Sequence, residues 1–165
     1  MRQVIVLTVA IAIQANTLLA QSSLSAFENL VGSKWEVVGR WSNGEDFRQE
    51  YLFEWSLDKN LVKVQTYGTI NMLTGEYGLR NEGIRVWKEG EGKIQFYEFD
   101  IFGGVTEGIC TIDGESIIYE YNYQGLALKE SWIFKDKNTY EYIVESLENG
   151  KRKELYQTST IKRQL

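Results

Sequence analysis

The sequence predicts an all-β protein: about ten strands in an antiparallel up-and-down barrel, preceded by a short N-terminal helix. Three observations carry that prediction. From residue 34 onward, nearly every segment alternates apolar and polar residues with period two, the signature of a half-buried strand. The segments are separated by brief turn signals, SNGED, LDKN, EGEG, FGG, IDGE, QG, KDKN and ENG, too short for helical crossovers. The chain has no proline and is rich in aromatics (Trp 5, Tyr 10, Phe 7), which suits pleated strands better than long loops or disorder.

Residues 1–20 are set aside first. Arg2 supplies a positive start, VIVLTVAIAI (4–13) an apolar run, and QANTLLA ends on the small residue Ala20. This is the layout of a cleaved secretory signal, and the run is too short to span a bilayer as a helix. The expected product is residues 21–165, one exported domain, periplasmic or extracellular, with no stable membrane anchor. Arg2 is the only charge removed, so the net charge of −5 becomes −6. An acidic surface without a basic cluster argues against nucleic acid and anionic membrane as partners.

Within 21–165, SLSAFENLVG (23–32) is the helical piece. Ser23 or Ser25 can cap it, Leu24, Phe27 and Leu30 share a face, and Gly32 can end it. The strands follow at 34–42, 48–57, 61–70, 79–88, 93–102, 105–112, 116–124, 126–134, 139–147 and 151–163, with one longer loop at 71–78. Gly103-Gly104, Asp113-Gly114 and Asn149-Gly150 accept the positive φ that tight hairpins require. Ten such strands either close into a barrel or fold into a two-sheet sandwich; closure removes the exposed edges and is the expectation here.

Composition excludes several chemistries. With no histidine, a Ser-His-Asp triad, an ordinary zinc or copper site and axial-histidine haem are all ruled out. The single cysteine, Cys110, lies between Ile109 and Ile112 and reads as a buried inert thiol. No phosphate loop, dinucleotide fingerprint, G-x-S-x-G or glycosylation sequon occurs, and neither a cofactor nor a metal is expected.

The short helix, Gly32 and Trp35 at the start of strand one, and a meander over 24–163 together resemble the calycin superfamily: the lipocalins, the fatty-acid-binding barrels and their uncharacterised bacterial relatives. Lipocalins space glycine and tryptophan by one residue; Ser33 and Lys34 intervene here, which suits a looser lipocalin-like relative. The resemblance implies a small, mostly apolar or amphipathic ligand held inside the barrel. It also implies a tryptophan–basic pair closing one end. In an even-numbered closed meander the start of the first strand lies beside the end of the last, so Trp35 should meet Arg163 or Lys162, with Arg163 laid across the indole.

Strand parity locates the candidate site. Ile117, Tyr119, Tyr121 and Tyr123 share one face of strand seven. Leu126, Leu128, Glu130, Trp132 and Phe134 share one face of strand eight, and Tyr140, Tyr142 and Val144 share one face of strand nine. In strand two the set is Gln49, Tyr51, Phe53 and Trp55. On hydrophobic grounds these faces point inward. Inward tyrosines pair an apolar body with a polar tip, so they either line a pocket or interlock and fill the interior. Glu130, between Leu128 and Trp132, is costly there unless a partner reaches it, its pKa rises or the cavity is wet. Arg48 and nearby tyrosines are the candidate partners. A second acidic stretch, YEFDIFGGVTEG (97–108), offers Glu98, Asp100 and Glu107, whose facing the pattern leaves open.

The leading expectation is a binding barrel whose ligand rests on Tyr51, Trp55, Tyr119, Tyr121, Trp132 and Tyr142, oriented by Arg48 and Glu130. Two alternatives stand beside it. One is a non-catalytic interaction module with a filled core. The other is an acid–base enzyme with Glu130 as base and a tyrosine as oxyanion donor.

Overall fold

A computed structural model describes residues 24–164, so the expected signal segment 1–20 lies outside the described residues. The chain forms β1 (Lys34–Arg40), β2 (Asp46–Ser56), β3 (Leu61–Asn71), β4 (Glu76–Lys88), β5 (Lys93–Asp100), β6 (Val105–Asp113), β7 (Ser116–Tyr123), β8 (Leu126–Asp136), β9 (Thr139–Glu148) and β10 (Lys151–Gln164). Each strand pairs antiparallel with its sequence neighbours, and β1 pairs with β10, so the sheet is a closed ten-strand barrel. The expected fold class is what the structure shows.

Two local expectations are corrected. Within the described part of 23–32, only Ser25–Phe27 form a helical turn, of 3₁₀ type, with Leu24 at its start and no side-chain cap. A segment this short cannot sustain an α-helix alone, and tertiary packing holds it instead. The expected loop 71–78 shrinks to a tight turn, because β3 runs to Asn71 and β4 starts at Glu76, directly opposite. The Asn71 side-chain oxygen accepts the Leu73 and Thr74 N–H groups and fixes that reversal. At Asn149-Gly150 both residues have positive φ (53° and 72°), as the hairpin pair required.

Closure is made where the sequence placed it. Trp35 stands opposite Arg163 in the β1–β10 ladder, and the guanidinium lies 4.9 Å from the centre of the indole. Arg163 also donates through Nη2 to the Asn29 carbonyl (2.5 Å) and to its side-chain oxygen (2.9 Å). Trp35 Nε1 donates to the Leu30 carbonyl at 3.0 Å. The N-terminal segment is thereby drawn under the barrel, where Leu24, Phe27 and Leu30 are fully buried. Gly32 turns the chain into β1 with a positive φ of 76° while its N–H donates to the Phe53 carbonyl.

Above this plug, rings interlock. Trp132 meets Phe53, Tyr51 and Tyr140 edge-on at centroid distances of 5.5, 4.8 and 6.1 Å, and Tyr140 meets Trp35 at 5.3 Å. Outside, charges pair along and across strands: Glu50 lies between Lys34 and Arg48, and Glu145 between Lys129 and Arg152. No helix among the described residues is long and apolar enough to cross a membrane.

Replacing Arg163 by alanine removes a cation–π contact and two charged hydrogen bonds at the seam. The expected cost is roughly 2–3 kcal/mol, read as a lower urea midpoint at unchanged slope. Arg163→Lys should recover only part of it, because an ammonium cannot both stack on the indole and fork onto Asn29.

Candidate functional site

Hairpin turns alternate between the two ends of the barrel. The plug closes the end that carries the start of β1 and the end of β10. The opposite end opens into a cavity of about 560 Å³, reached past Trp41, Ser42 and Asn43 of the β1–β2 turn and Tyr123, Glu154 and Tyr156 of the neighbouring rims. The interior is therefore filled at one end and hollow at the other. A volume of this size falls in the usual range for small-molecule sites.

Six of the expected site residues, Tyr51, Tyr119, Tyr121, Glu130, Trp132 and Tyr142, line this one cavity. They come from β2, β7, β8 and β9, and register brings them together: Tyr119 pairs with Glu130, and Trp132 with Tyr142. Burial holds the Tyr51, Tyr119, Tyr121 and Tyr142 hydroxyls well above the ordinary phenol range, so they are neutral hydrogen-bonding groups at physiological pH.

Arg48 and Trp55 are corrections. Arg48 projects outward, bonded to Glu36 (2.5 Å) and Glu50 (2.6 Å) and lying over the Tyr77 ring. Strand parity requires this, since Arg48 neighbours the inward Gln49. Trp55 shares the inner parity but sits at the plugged end, under Lys59 and away from the cavity.

The interior cation is Arg85 of β4, which the sequence pattern did not reveal. It is 4% exposed. Its Nη2 donates to Glu98 at 2.5 Å, its Nε to the Tyr119 hydroxyl at 3.3 Å, and its plane covers the Phe96 and Tyr119 rings at 5.3 and 4.9 Å. Its Nη1 is buried without a hydrogen-bond partner, as is the side-chain oxygen of Asn81, whose amide donates to Glu98. Gly83 makes the room: a Cβ there would come within 2.7 Å of Glu98 Cγ and 2.9 Å of Arg85 Nη1. The acidic stretch divides accordingly. Glu98 and Asp100 line the cavity, whereas Glu107 pairs with Tyr97 and follows its outward parity. Asp100 is occupied in its turn, accepting the Phe102 and Gly104 N–H groups.

Glu130 has no cation of its own. One carboxylate oxygen accepts the Trp132 indole N–H at 2.9 Å. Burial pushes its pKa up and the Glu98 charge adds to the push; the Trp132 bond, Arg85 and the Tyr142 hydroxyl oppose it, leaving a value of about 7. The group is thus neither exposed nor at its free value. Cys110 is 3% exposed with its thiol pushed up to about 12 by burial, an inert core group. Among the described residues no group of His, Cys, Asp and Glu is arranged to hold a metal.

No family model and no curated protein matches this chain. Among solved structures, the S-type phycobiliprotein lyase CPES from Guillardia theta is similar to it, with a TM-score of 0.49 and 13% identity over 90% of this chain and 94% of that one.

Stability should carry the mark of Glu130. Unfolded, the group loses its proton near 4.5; folded, it keeps it to about 7. Its contribution is therefore full below about pH 4.5, falls as pH rises to about 7 and is flat above. Glu130→Gln should stabilise the protein by roughly 2–3 kcal/mol at pH 8 and leave it nearly unchanged at pH 4.5. Urea titrations of both proteins at the two pH values measure the difference.

Proposed function

We propose that this chain is an exported calycin-type barrel that binds a small, mostly apolar molecule in its interior. The observation that carries the reading is the cavity of about 560 Å³, walled in comparable measure by aromatic side chains and by polar and charged groups directed inward. The aromatic side of the wall supplies affinity and the polar side fixes orientation, the usual division of labour in such sites. The open end gives the ligand an entry, and the plugged end gives it a floor.

Two measurements test this. Native mass spectrometry of protein recovered from its own host should show a bound molecule that organic extraction releases. Leu128→Trp, which adds a ring to the cavity wall, should abolish capture while leaving the unfolding free energy from urea titration within about 1 kcal/mol of the parent. An empty parent protein, or undiminished capture by the variant, would remove the reading. Export predicts a mature N-terminus at Gln21, which intact-mass measurement of the recovered protein reads directly; a full-length product would remove that part.

A second reading has its own observation. Phe99, Ile101, Phe102 and Val105, around the β5–β6 turn, are each more than half exposed. Apolar groups clustered on a rim favour contact with another surface. If they serve protein association, Phe102→Ser should abolish it without changing ligand capture.

A further inference from the structure

The charges inside the cavity are unequal, and that inequality says what kind of head group fits. Among the described residues, Arg85 is the only cation deep in the chamber. Its charge is answered by Glu98 at 2.5 Å, its Nε is held by Tyr119, and its face is covered by two aromatic rings. Arg80, nearer the mouth, donates to the Thr69 carbonyl and stacks on Phe102. On the acidic side, Glu98 is matched by Arg85 and Asp100 is bound into its turn. Among the described residues, with Glu154 lying out at the rim, Glu130 is the remaining carboxylate of the inner wall, and its bonded partner is a neutral indole. A carboxylate facing a cavity without a cation is half of a charge pair.

The rings beside Glu130 suit the other half. Trp132 meets Tyr51 at 4.8 Å and Tyr142 at 6.2 Å, so three aromatic side chains cluster next to the carboxylate. Aromatic faces attract a cation as well as an apolar body. An anionic head group would meet the reverse. It would have to compete with Glu98 for Arg85 while approaching the charge on Glu130.

We propose that the barrel selects lipophilic amines: a protonated nitrogen pairs with the Glu130 carboxylate beside Trp132, Tyr51 and Tyr142, and the apolar body lies along Tyr121, Tyr123 and Leu128 toward the mouth. This rests on the binding reading above and sharpens it to a ligand class.

Three naphthalene probes that differ only in their head group test the assignment: 2-(2-naphthyl)ethylamine, 2-(2-naphthyl)ethanol and 2-naphthylacetate. Each is titrated calorimetrically into the parent and Glu130→Gln proteins at pH 8. The amine should bind the parent at least about tenfold more tightly than the alcohol, with the carboxylate weakest. Glu130→Gln should remove that advantage, bringing the amine to within about twofold of the alcohol. Tightest binding by the carboxylate, or an amine preference that survives Glu130→Gln, would overturn the assignment while leaving cavity binding intact. Failure of all three probes to bind the parent would instead overturn cavity binding itself, and the assignment with it.

Discussion

Everything in this molecule depends on the closure of β1 against β10. A ten-strand meander left open would expose two rows of unpaired backbone groups, and its inward faces would have no common interior to share. The closing contact joins residues 128 positions apart, Trp35 and Arg163, and ties both to the N-terminal plug through Leu30 and Asn29. Seam, plug and floor are thus one structure. The same indole that stacks under Arg163 meets Tyr140 edge-on, and through it Trp132, at the base of the cavity.

Closure also explains why the interior is filled at one end and hollow at the other. Near the plug, large rings from β1, β2, β8 and β9 meet and interlock. Toward the mouth the inner positions of β3 to β6 are smaller or polar: Thr66, Asn81, Gly83, Thr106 and Gly108. Gly83 and Gly108 are needed because a Cβ at either would strike backbone and side-chain atoms closer than 3.0 Å, including Glu98 beside one and the Phe96 ring beside the other. Small residues on one half of the wall leave the space that the tyrosines on the other half face.

The polar groups follow the same logic of local sufficiency. Arg85, Glu98, Tyr119 and Asn81 form a connected group that answers most of its own hydrogen-bonding demand within the wall. Outside, Glu50 and Glu145 are each held by two cations. Glu130 differs from all of them. Its pKa near 7 is the energetic record of a carboxylate placed by register rather than by a counter-charge.

Much of this was written into local pattern. Period-two alternation and Asx-Gly or Gly-Gly turns determined the strands and their order, since each depends on neighbours in the chain. The even strand number determined that Trp35 and Arg163 would meet. Strong aromatic parity determined the inward faces of β7, β8 and β9, and with them Glu130. The helical reading of 23–32 failed because its hydrophobic spacing records burial under the barrel rather than an independent helix.

Only the tertiary structure decided where the interior cation lies. In β4 the apolar residues Ile84 and Val86 face outward while Asn81, Gly83 and Arg85 face in, so the hydrophobic rule points the wrong way. Register against β5 sets Arg85 opposite Phe96 and close to Glu98. Arg48 looked suitable in sequence because it lies near Tyr51, yet it stands one residue out of phase with the inner face. The sequence determined the strands, the turns and the seam through short-range periodicity. The cavity, its charge balance and the isolation of Glu130 arise from contacts across the closed barrel, and these exist only once ten strands share one interior.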